Sequence, residues 1–501
     1  MENSLAVKKN SNTGGKRFLA IDAGTTIVKA ALTGIDGEVI DVVSHKLDIL
    51  MPKQGWCEMN MNTVWQAVCE VVGQLRENNG GEWENICAVG ICAQGDGMWP
   101  LDANGNPVRN AVLWNDTRAG GMIDYESINR SCLALGTTPL FPGAGPVILR
   151  WLKENEPENY ERIATVLHCK DWLNYKLTGR LVTDQTDAST ALFNIYTKQY
   201  EFSLLELLGI ESCRGCFPDV VSSDQIIGTV TEHIASLLKI KAGIPVIAGA
   251  IDVLAVATGC DVTKPTQKGS ILGTTLCNYV VLDQAGALAH AGENGEVLCH
   301  THPNVYIKLM AALSGASALD WVRRQVLADE PFAELEQSII KLPIGSEGVL
   351  FQPYLYGERA PFHAANASSG FFGLRPNHTK YHMVRAAYEG VAMSLYDCYQ
   401  NLPSGENGFV VAGGASKSDL VCQMVCDCMG ERTVRYKEKE LGILGVVSLL
   451  QEAMGFESQK QETLADEFMP DLTKHEEYKN LYTEFCHLKT MMMLYWAREK
   501  H

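Results

Sequence analysis

The chain has 501 residues, 46% of them hydrophobic and 20% charged, and carries a formal net charge of −17. That composition fits a globular enzyme, and the length exceeds one ordinary core, so two or three domains are expected. The acidic balance argues against DNA or RNA as a partner, yet local donors and a metal can still hold an anionic nucleotide.

Residues 1–16 have no apolar signal core and read as a short disordered leader. No later run reaches the ~20 apolar residues of a membrane helix, so no membrane partner is expected. Phe18–Asp22, Ile27–Thr33 and Val39–His45 read as a β-meander. The first two strands meet in a Gly24-Thr25-Thr26 turn. Such a turn is either a plain hairpin or a cradle whose amides and hydroxyls cup phosphate oxygens. Asp22 would repel that phosphate unless a cation lay between them, which suggests Mg²⁺.

Val64, Ala67, Val68, Val71, Val72 and Leu75 recur at helical spacing and predict a helix over 61–79. The apolar run Ile86–Ala93 empties into Gln94-Gly95-Asp96-Gly97, and a strand ending in a polar glycine turn is a favoured place for a site. A further strand, Ala111–Trp114, leads into Asn115-Asp116-Thr117-Arg118. Gln94-Gly95-Asp96 and Trp114-Asn115-Asp116-Thr117-Arg118 bring amides, carboxylates and a guanidinium near an indole, which suits a small polyhydroxylated ligand whose hydroxyls need paired donors and acceptors and whose C–H surface suits an aromatic face. They are equally readable as turn residues and surface ion pairs. Residues 145–180 are predicted mostly helical.

The strand Pro245–Ala248 leads to Gly249-Ala250-Ile251-Asp252, a carboxylate at the head of a small-residue helix. Asp252 is either a helix cap or a general base for phosphoryl transfer. Gly269–Thr275 then repeats the strand and Gly-Thr-Thr turn, with no aspartate at the matching position. A helix follows Ser314-Gly315-Ala316. Phe409–Ala412 runs into Gly413-Gly414-Ala415-Ser416 and an amphipathic helix through Met429. The tail from 456 is charged and helical, with Leu488, Met492 and Trp496 on one face for packing against the second domain.

The sixteen cysteines sit mostly in apolar segments, which reads as buried thiols in a reducing, cytoplasmic compartment. Cys213 and Cys216 form a CxxC pair, but no second pair completes a zinc site. Strands alternating with helices, with a meander opening each half, give an α/β protein whose mixed sheet is built twice. The expected domains are 17–260 and 261–455, with a helical tail over 456–501.

In this order the motifs resemble the FGGY family of carbohydrate kinases, over roughly residues 17–455. The most specific match is Ser369-Gly370-Phe371-Phe372-Gly373-Leu374, followed after seven residues by His382-Met383-Val384-Arg385-Ala386-Ala387-Tyr388-Glu389. It fits the family's second signature at every defined position. The first signature is partly kept: Leu149–Glu154 matches, and Ile148 stands where a lysine is usual. The resemblance implies two RNase H-like domains of the actin and hexokinase type, with a catalytic cleft between them for ATP and a small sugar or polyol. It implies that Asp252 is the base and that Asp22 serves Mg²⁺. It puts Gly24, Thr25, Thr26, Gly273 and Thr274 on the phosphates and Gly315, Gly414 and Ser418 along the nucleotide. Gln94, Gly95, Asp96, Trp114 and Asp252 would face the sugar.

Gln94-Gly95-Asp96-Gly97 departs from the Gln-Met-His-Gly of xylulokinases, and Val253 replaces their usual asparagine. Leu167–Leu173 looks more like erythritol kinases, and Arg150–Pro157 is similar to L-xylulose kinases. The resemblance therefore points to a tetritol or a ketopentose. A non-catalytic sugar or nucleotide sensor on the same scaffold is the alternative, and a homodimer is left open.

Overall fold

The computed structural model describes residues 15–498 apart from 328–330, 407, 439 and 458–464. The expected leader lies outside the described residues up to residue 14. The first sheet is built from β1 (Arg17–Ala23), β2 (Ile27–Gly34), β3 (Val39–Lys46), β4 (Ile86–Ala93), β5 (Ile226–Thr229) and β6 (Pro245–Ile247). Their order is β5-β6-β4-β1-β2-β3, and the short strand Ala250–Ile251 also pairs with β4. The meander is antiparallel, whereas β1 and β4 run parallel with Asp22 opposite Cys92.

Alternate residues of β1 serve two layers, as the two-residue period of a strand requires. Leu19 and Ile21 pack with Val64, Val68 and Val72 of α1 (Met61–Asn78). Phe18 and Ala20 face the other way. Burial on both faces explains why β1 is continuously apolar.

The second sheet repeats the plan. It comprises β7 (Lys268–Leu272), β8 (Leu276–Asp283), β9 (Glu296–Cys299), β10 (Val305–Ala312), β11 (Phe409–Ala412), β12 (Thr433–Tyr436) and β13 (Ala465–Phe468), ordered β9-β10-β8-β7-β11-β12-β13. Central β7 is antiparallel to β8 and parallel to β11, as β1 is to β2 and β4. The fold is thus the doubled α/β architecture that the repeated turns imply. No helix among the described residues is long and apolar enough to cross a membrane.

The halves exchange helices. α2 (Cys169–Thr178) stays with the first sheet, but α3 (Asp252–Gly259) packs Val253, Leu254 and Ala257 on Tyr279, Val281 and Ile307 of the second. Of the second half's helices, α4 (Ala316–Val326) and α5 (Asp419–Met429) cover their own sheet. In contrast, α6 (Leu441–Met454) buries Ile443, Val446 and Leu450 against Phe18, Ala20, Ala88 and Ile247. A linear division near 260 therefore leaves each half holding a helix that covers the other's sheet.

α3 and α6 cross at glycines. A Cβ on Gly445 would overlap the Ala255 carbonyl, and one on Gly259 the Leu441 carbonyl. Backbone atoms cannot rotate aside as a side-chain tip can, so Gly445→Ala is expected to cost about 1–3 kcal/mol by overpacking. Chemical denaturation should read this as a lower midpoint; an unchanged midpoint would mean that the helices separate freely.

The tail adds edge strand β13, which the helical reading of that segment missed, and then α7 (Leu472–Trp496). Leu488 and Trp496 are buried and Met492 packs partly against the second half's core. The Trp496 indole donates to Ser368 Oγ at 3.1 Å and meets Tyr354 edge-on at 5.5 Å.

Candidate active site

The Gly24 amide donates to the Ile27 carbonyl at 3.0 Å, which closes the first turn tightly and leaves Thr26 exposed. The second turn is tied to a helix. Gly315 N donates to the Thr274 carbonyl at 3.0 Å, Ala316 N to the Gly273 carbonyl at 2.8 Å, and Ser317 Oγ to Thr274 at 2.7 Å. A Cβ on Gly315 would stand 2.7 Å from the Gly273 carbonyl oxygen, so the close approach needs glycine. The turn thereby sits over the N-terminus of α4, and its carbonyls take the first amides of that helix.

Gly414 is exposed with open space around it. Ser418 caps α5: its hydroxyl accepts from Val421 N at 3.1 Å and donates to Glu336 Oε1 at 2.6 Å. Ser418 thus has a structural duty wherever the nucleotide lies. A narrow apolar cavity lined by Leu276, Ala316, Leu319, Tyr388 and Ala415 lies between these elements.

Asp22 lies next to the end of β1 opposite Lys29, whose Nζ is 2.6 Å from Glu440 Oε2. Burial pushes the Asp22 carboxyl up to about 6, against the pull of Lys29, and the Glu440 charge adds to the rise. A buried carboxylate crowded by others is a fit place for a cation.

Asp252 is the first residue of α3, after the cap position. Its Oδ1 accepts only from its neighbour Val253 N, at 2.7 Å, and it makes no capping bond to the next turn. The helix-cap reading therefore fails here. Gly249, at φ +74, makes the bend that aims Asp252, and a Cβ there would overlap the Ile91 carbonyl. Burial and then the Asp22 charge push the Asp252 carboxyl up to about 7, with smaller contributions from Asp187 and Asp96. Four carboxylates thus face one cleft.

Gln94, Thr25 and Trp114 form a chain. Trp114 Nε1 donates to Thr25 Oγ1 at 3.1 Å, and Thr25 Oγ1 donates to Gln94 Oε1 at 3.0 Å. The Thr25 hydroxyl is therefore committed to Gln94 and Trp114. Asp96 sits at φ 53, and burial beside Glu296 pushes it up to about 7 while Arg359 opposes. Gly95 packs against Ile251, where a Cβ would clash.

Within the Trp114–Arg118 stretch, Asp116 and Arg118 are engaged away from Trp114. Asp116 and Arg118 pair at 2.8 Å, Asp116 accepts from Cys57 N at 2.6 Å, and the Arg118 guanidinium lies 4.0 Å from the Trp56 ring. Val253 packs in the apolar cluster on the second sheet.

Arg359 reaches over from the second half. Its guanidinium lies 5.7 Å from the Trp114 ring and 5.2 Å from the Phe141 ring. Glu358 behind it accepts the amides of Leu313, Arg359 and Ala360, which holds the loop.

Four groups were missing from the expected site: His168, Asp171, Asp187 and Glu296. Lys170 Nζ is 2.5 Å from Asp171 Oδ1 and 3.2 Å from both Asp184 Oδ1 and Asp187 Oδ2, with all four groups wholly buried. Lys170 holds Asp171 down to about 2, whereas burial pushes Asp187 up to about 6. His168 is raised to about 9 by the carboxylates of Asp187 and Asp171, which outweigh its burial.

Two halves of one topology, each presenting a Gly-Thr-Thr turn to a carboxylate-lined cleft, define a two-domain phosphotransferase. The model of the FGGY family of carbohydrate kinases, N-terminal domain, matches residues 17–259, and that of the C-terminal domain matches 269–453. The chain belongs to the FGGY family of carbohydrate kinases. A probable L-xylulose kinase of Pasteurella multocida (strain Pm70) is 31% identical over 439 residues, covering 85% of this chain and 89% of its own. The L-xylulose/3-keto-L-gulonate kinase of Escherichia coli (strain K12) is 29% identical over 497 residues, 96% and 98% of the two chains. The ligand-bound xylulose kinase from Lactobacillus acidophilus superposes with a TM-score of 0.87 at 25% identity, covering 96% and 99%. The protein is thus a sugar kinase that uses ATP with Mg²⁺.

Proposed function

We propose that the chain phosphorylates a primary hydroxyl of a ketopentose, xylulose above all, with a tetritol such as erythritol as the second reading. The observation that carries this is Asp252, a half-buried carboxylate within electrostatic reach of both Asp22 and Asp96. The nearer relatives named for L-xylulose support the ketopentose; the erythritol-kinase look of Gln94–Gly97 supports the tetritol.

Bound ATP would supply the phosphoryl group, with Mg²⁺ at Asp22 offsetting its charge. Gln94, Asp96 and Trp114 would fix the acceptor chain so that one terminal hydroxyl lies within hydrogen-bond reach of Asp252. Asp252 would take that proton as the oxygen attacks. The amides of the two Gly-Thr-Thr turns would steady the transferring group, and Gly315 and Gly414 would leave room for the nucleotide. Arg359, closing from the second half, would exclude water that would otherwise compete as acceptor. A cytoplasmic setting is part of the proposal, and the sixteen free cysteines fit it.

The test is coupled ADP release with Mg-ATP against D- and L-xylulose, ribulose, erythritol and glycerol. Strong turnover on a xylulose is expected. Turnover on erythritol alone would favour the second reading. Flat release across the panel, with sugar binding intact, would turn the argument toward a sensor.

A further inference from the structure

Asp22 and Lys29 stand directly opposite each other on β1 and β2. Alternation puts Asp22 on the face of Phe18 and Ala20, and Lys29 on the face of Ala31, which is the side that α6 covers. Opposite charges placed in this way ordinarily pair across the two strands. Here they do not. Among the described residues, the one ion pair of Lys29 is with Glu440, at 2.6 Å, and it joins positions 411 apart in sequence.

Glu440 is held in place on both sides. It is the residue before α6, and its carbonyl accepts Leu444 N at 3.0 Å while its own amide donates to Glu438 Oε1 at 3.1 Å. Its side chain caps no amide of the helix, so the carboxylate is left for Lys29. Ile443, Val446 and Leu450 seat α6 on the first sheet, and Gln451 Nε2 donates to the Ile35 carbonyl at 2.8 Å. At the near end Gly442 lies against Asp22: a Cβ there would stand 3.2 Å from Asp22 Oδ2 and 3.5 Å from Cys92 Sγ. The start of α6 thus meets the carboxylate and the lysine together.

A lysine stem is flexible and its ammonium is a compact point charge. Released from Glu440, Lys29 could swing to the carboxylate opposite it and become its counter-ion. A cation arriving at Asp22 would then have to displace the ammonium. We infer that Glu440 is a positioning residue for the metal site: by holding Lys29 away from Asp22, it keeps that carboxylate open to the divalent cation of the reaction. This rests on the kinase reading above, in which Mg²⁺ lies at Asp22. Glu440 acts through Lys29, and the roles of Asp252 and of the sugar-side residues are unchanged.

The test uses Mn²⁺ alone as the probe, on the full-length, nucleotide-free protein, with free Mn²⁺ counted by electron resonance. The wild type is expected to bind the ion, and Asp22→Asn to lose it. Glu440→Gln should weaken binding about tenfold, the scale on which an adjacent ammonium stabilises a carboxylate. In a Lys29→Met background the same substitution should cost less than about threefold, because the competitor is gone and the two sites are coupled. In turnover assays Glu440→Gln should raise the Mg²⁺ concentration needed for half-activation by about the same factor of ten. Its kcat at saturating Mg²⁺ and its KM for the sugar should change little. Unchanged Mn²⁺ binding in Glu440→Gln would overturn the inference. So would an equal loss in both backgrounds, which would make Glu440 a ligand or a distant charge rather than the holder of Lys29. A fall in the denaturation midpoint that tracks the loss in both backgrounds would make Glu440 merely structural and overturn it as well. No uptake by the wild type, or uptake that Asp22→Asn leaves intact, would overturn the metal role of Asp22 and this inference with it. The expected Mn²⁺ pattern without ADP release on any sugar would instead overturn the kinase reading and leave the Glu440–Lys29 arrangement standing.

Discussion

Replacing Asp252 by asparagine is expected to lower kcat by about 10²–10⁴, the usual loss for a general base. The amide keeps the shape and can still accept a hydrogen bond, but it cannot take the substrate's proton. Binding of ATP should be nearly unchanged, because the side chain's one bond is to Val253 N and its role lies on the acceptor side. The wild-type pH profile should report the same group. Burial and the Asp22 charge push Asp252 up to about 7, and only its ionised form can act as base. kcat/KM should therefore rise with pH on the acid side of neutrality and level off above it. Bound Mg²⁺ would favour the carboxylate and move that limb downward. Near-normal turnover in the asparagine variant, or a profile flat from pH 5 to 8, would remove Asp252 as the base.

The parts of the fold readable in the sequence are those set by neighbours along the chain. Phe18–Asp22 and Ile27–Thr33 are short apolar runs joined by a local turn, so both meanders and both Gly-Thr-Thr turns could be placed from residue order alone. Asp252 was recognisable because a strand end and a helix start lie within four residues of it. Asp187 and Glu296 were not, since 108 positions and a domain boundary separate them, and their segments meet only in the fold, where Cys299 N donates to Ser189 Oγ. Nothing local in Gly295-Glu296-Val297 marks it out. The Asp116–Arg118 pair misled for the opposite reason: carboxylate and guanidinium two residues apart suit a polyol, but Glu58 and Trp56, distant in sequence, had already claimed them. The same holds for α6, whose apolar face is obvious while its partner, the first sheet, is not. β13 was missed because Ala465-Asp466-Glu467-Phe468 is short, polar and on an edge, where ion pairs of Arg432 and Arg435 rather than apolar burial hold it.

The largest expected loss of stability comes from Lys170→Met. Methionine matches the length of the lysine stem but removes the charge from a site that keeps Asp171, Asp184 and Asp187 wholly buried. Breaking a buried ion pair by deleting one partner costs about 3–5 kcal/mol, because the remaining charge has nowhere to be solvated. Three carboxylates share this cation, which places the expectation at the upper end. The pH dependence separates this cause from simple loss of packing. In the wild type Asp171 is held down to about 2, below the ordinary 3.8, so its contribution is present above pH 3.8 and is lost as pH falls toward 2. In the variant Asp171 loses the partner that holds it down, and Asp187, already raised to about 6 by burial, loses the charge that opposes that rise. Their penalty is then full at neutral pH and relieved as pH falls and they take up protons. Denaturation of Lys170→Met should accordingly show its deficit against the wild type shrinking from pH 8 to pH 5. A deficit constant over that range would mean a packing defect. A deficit below about 1 kcal/mol would mean that the three carboxylates are hydrated, contrary to the burial described.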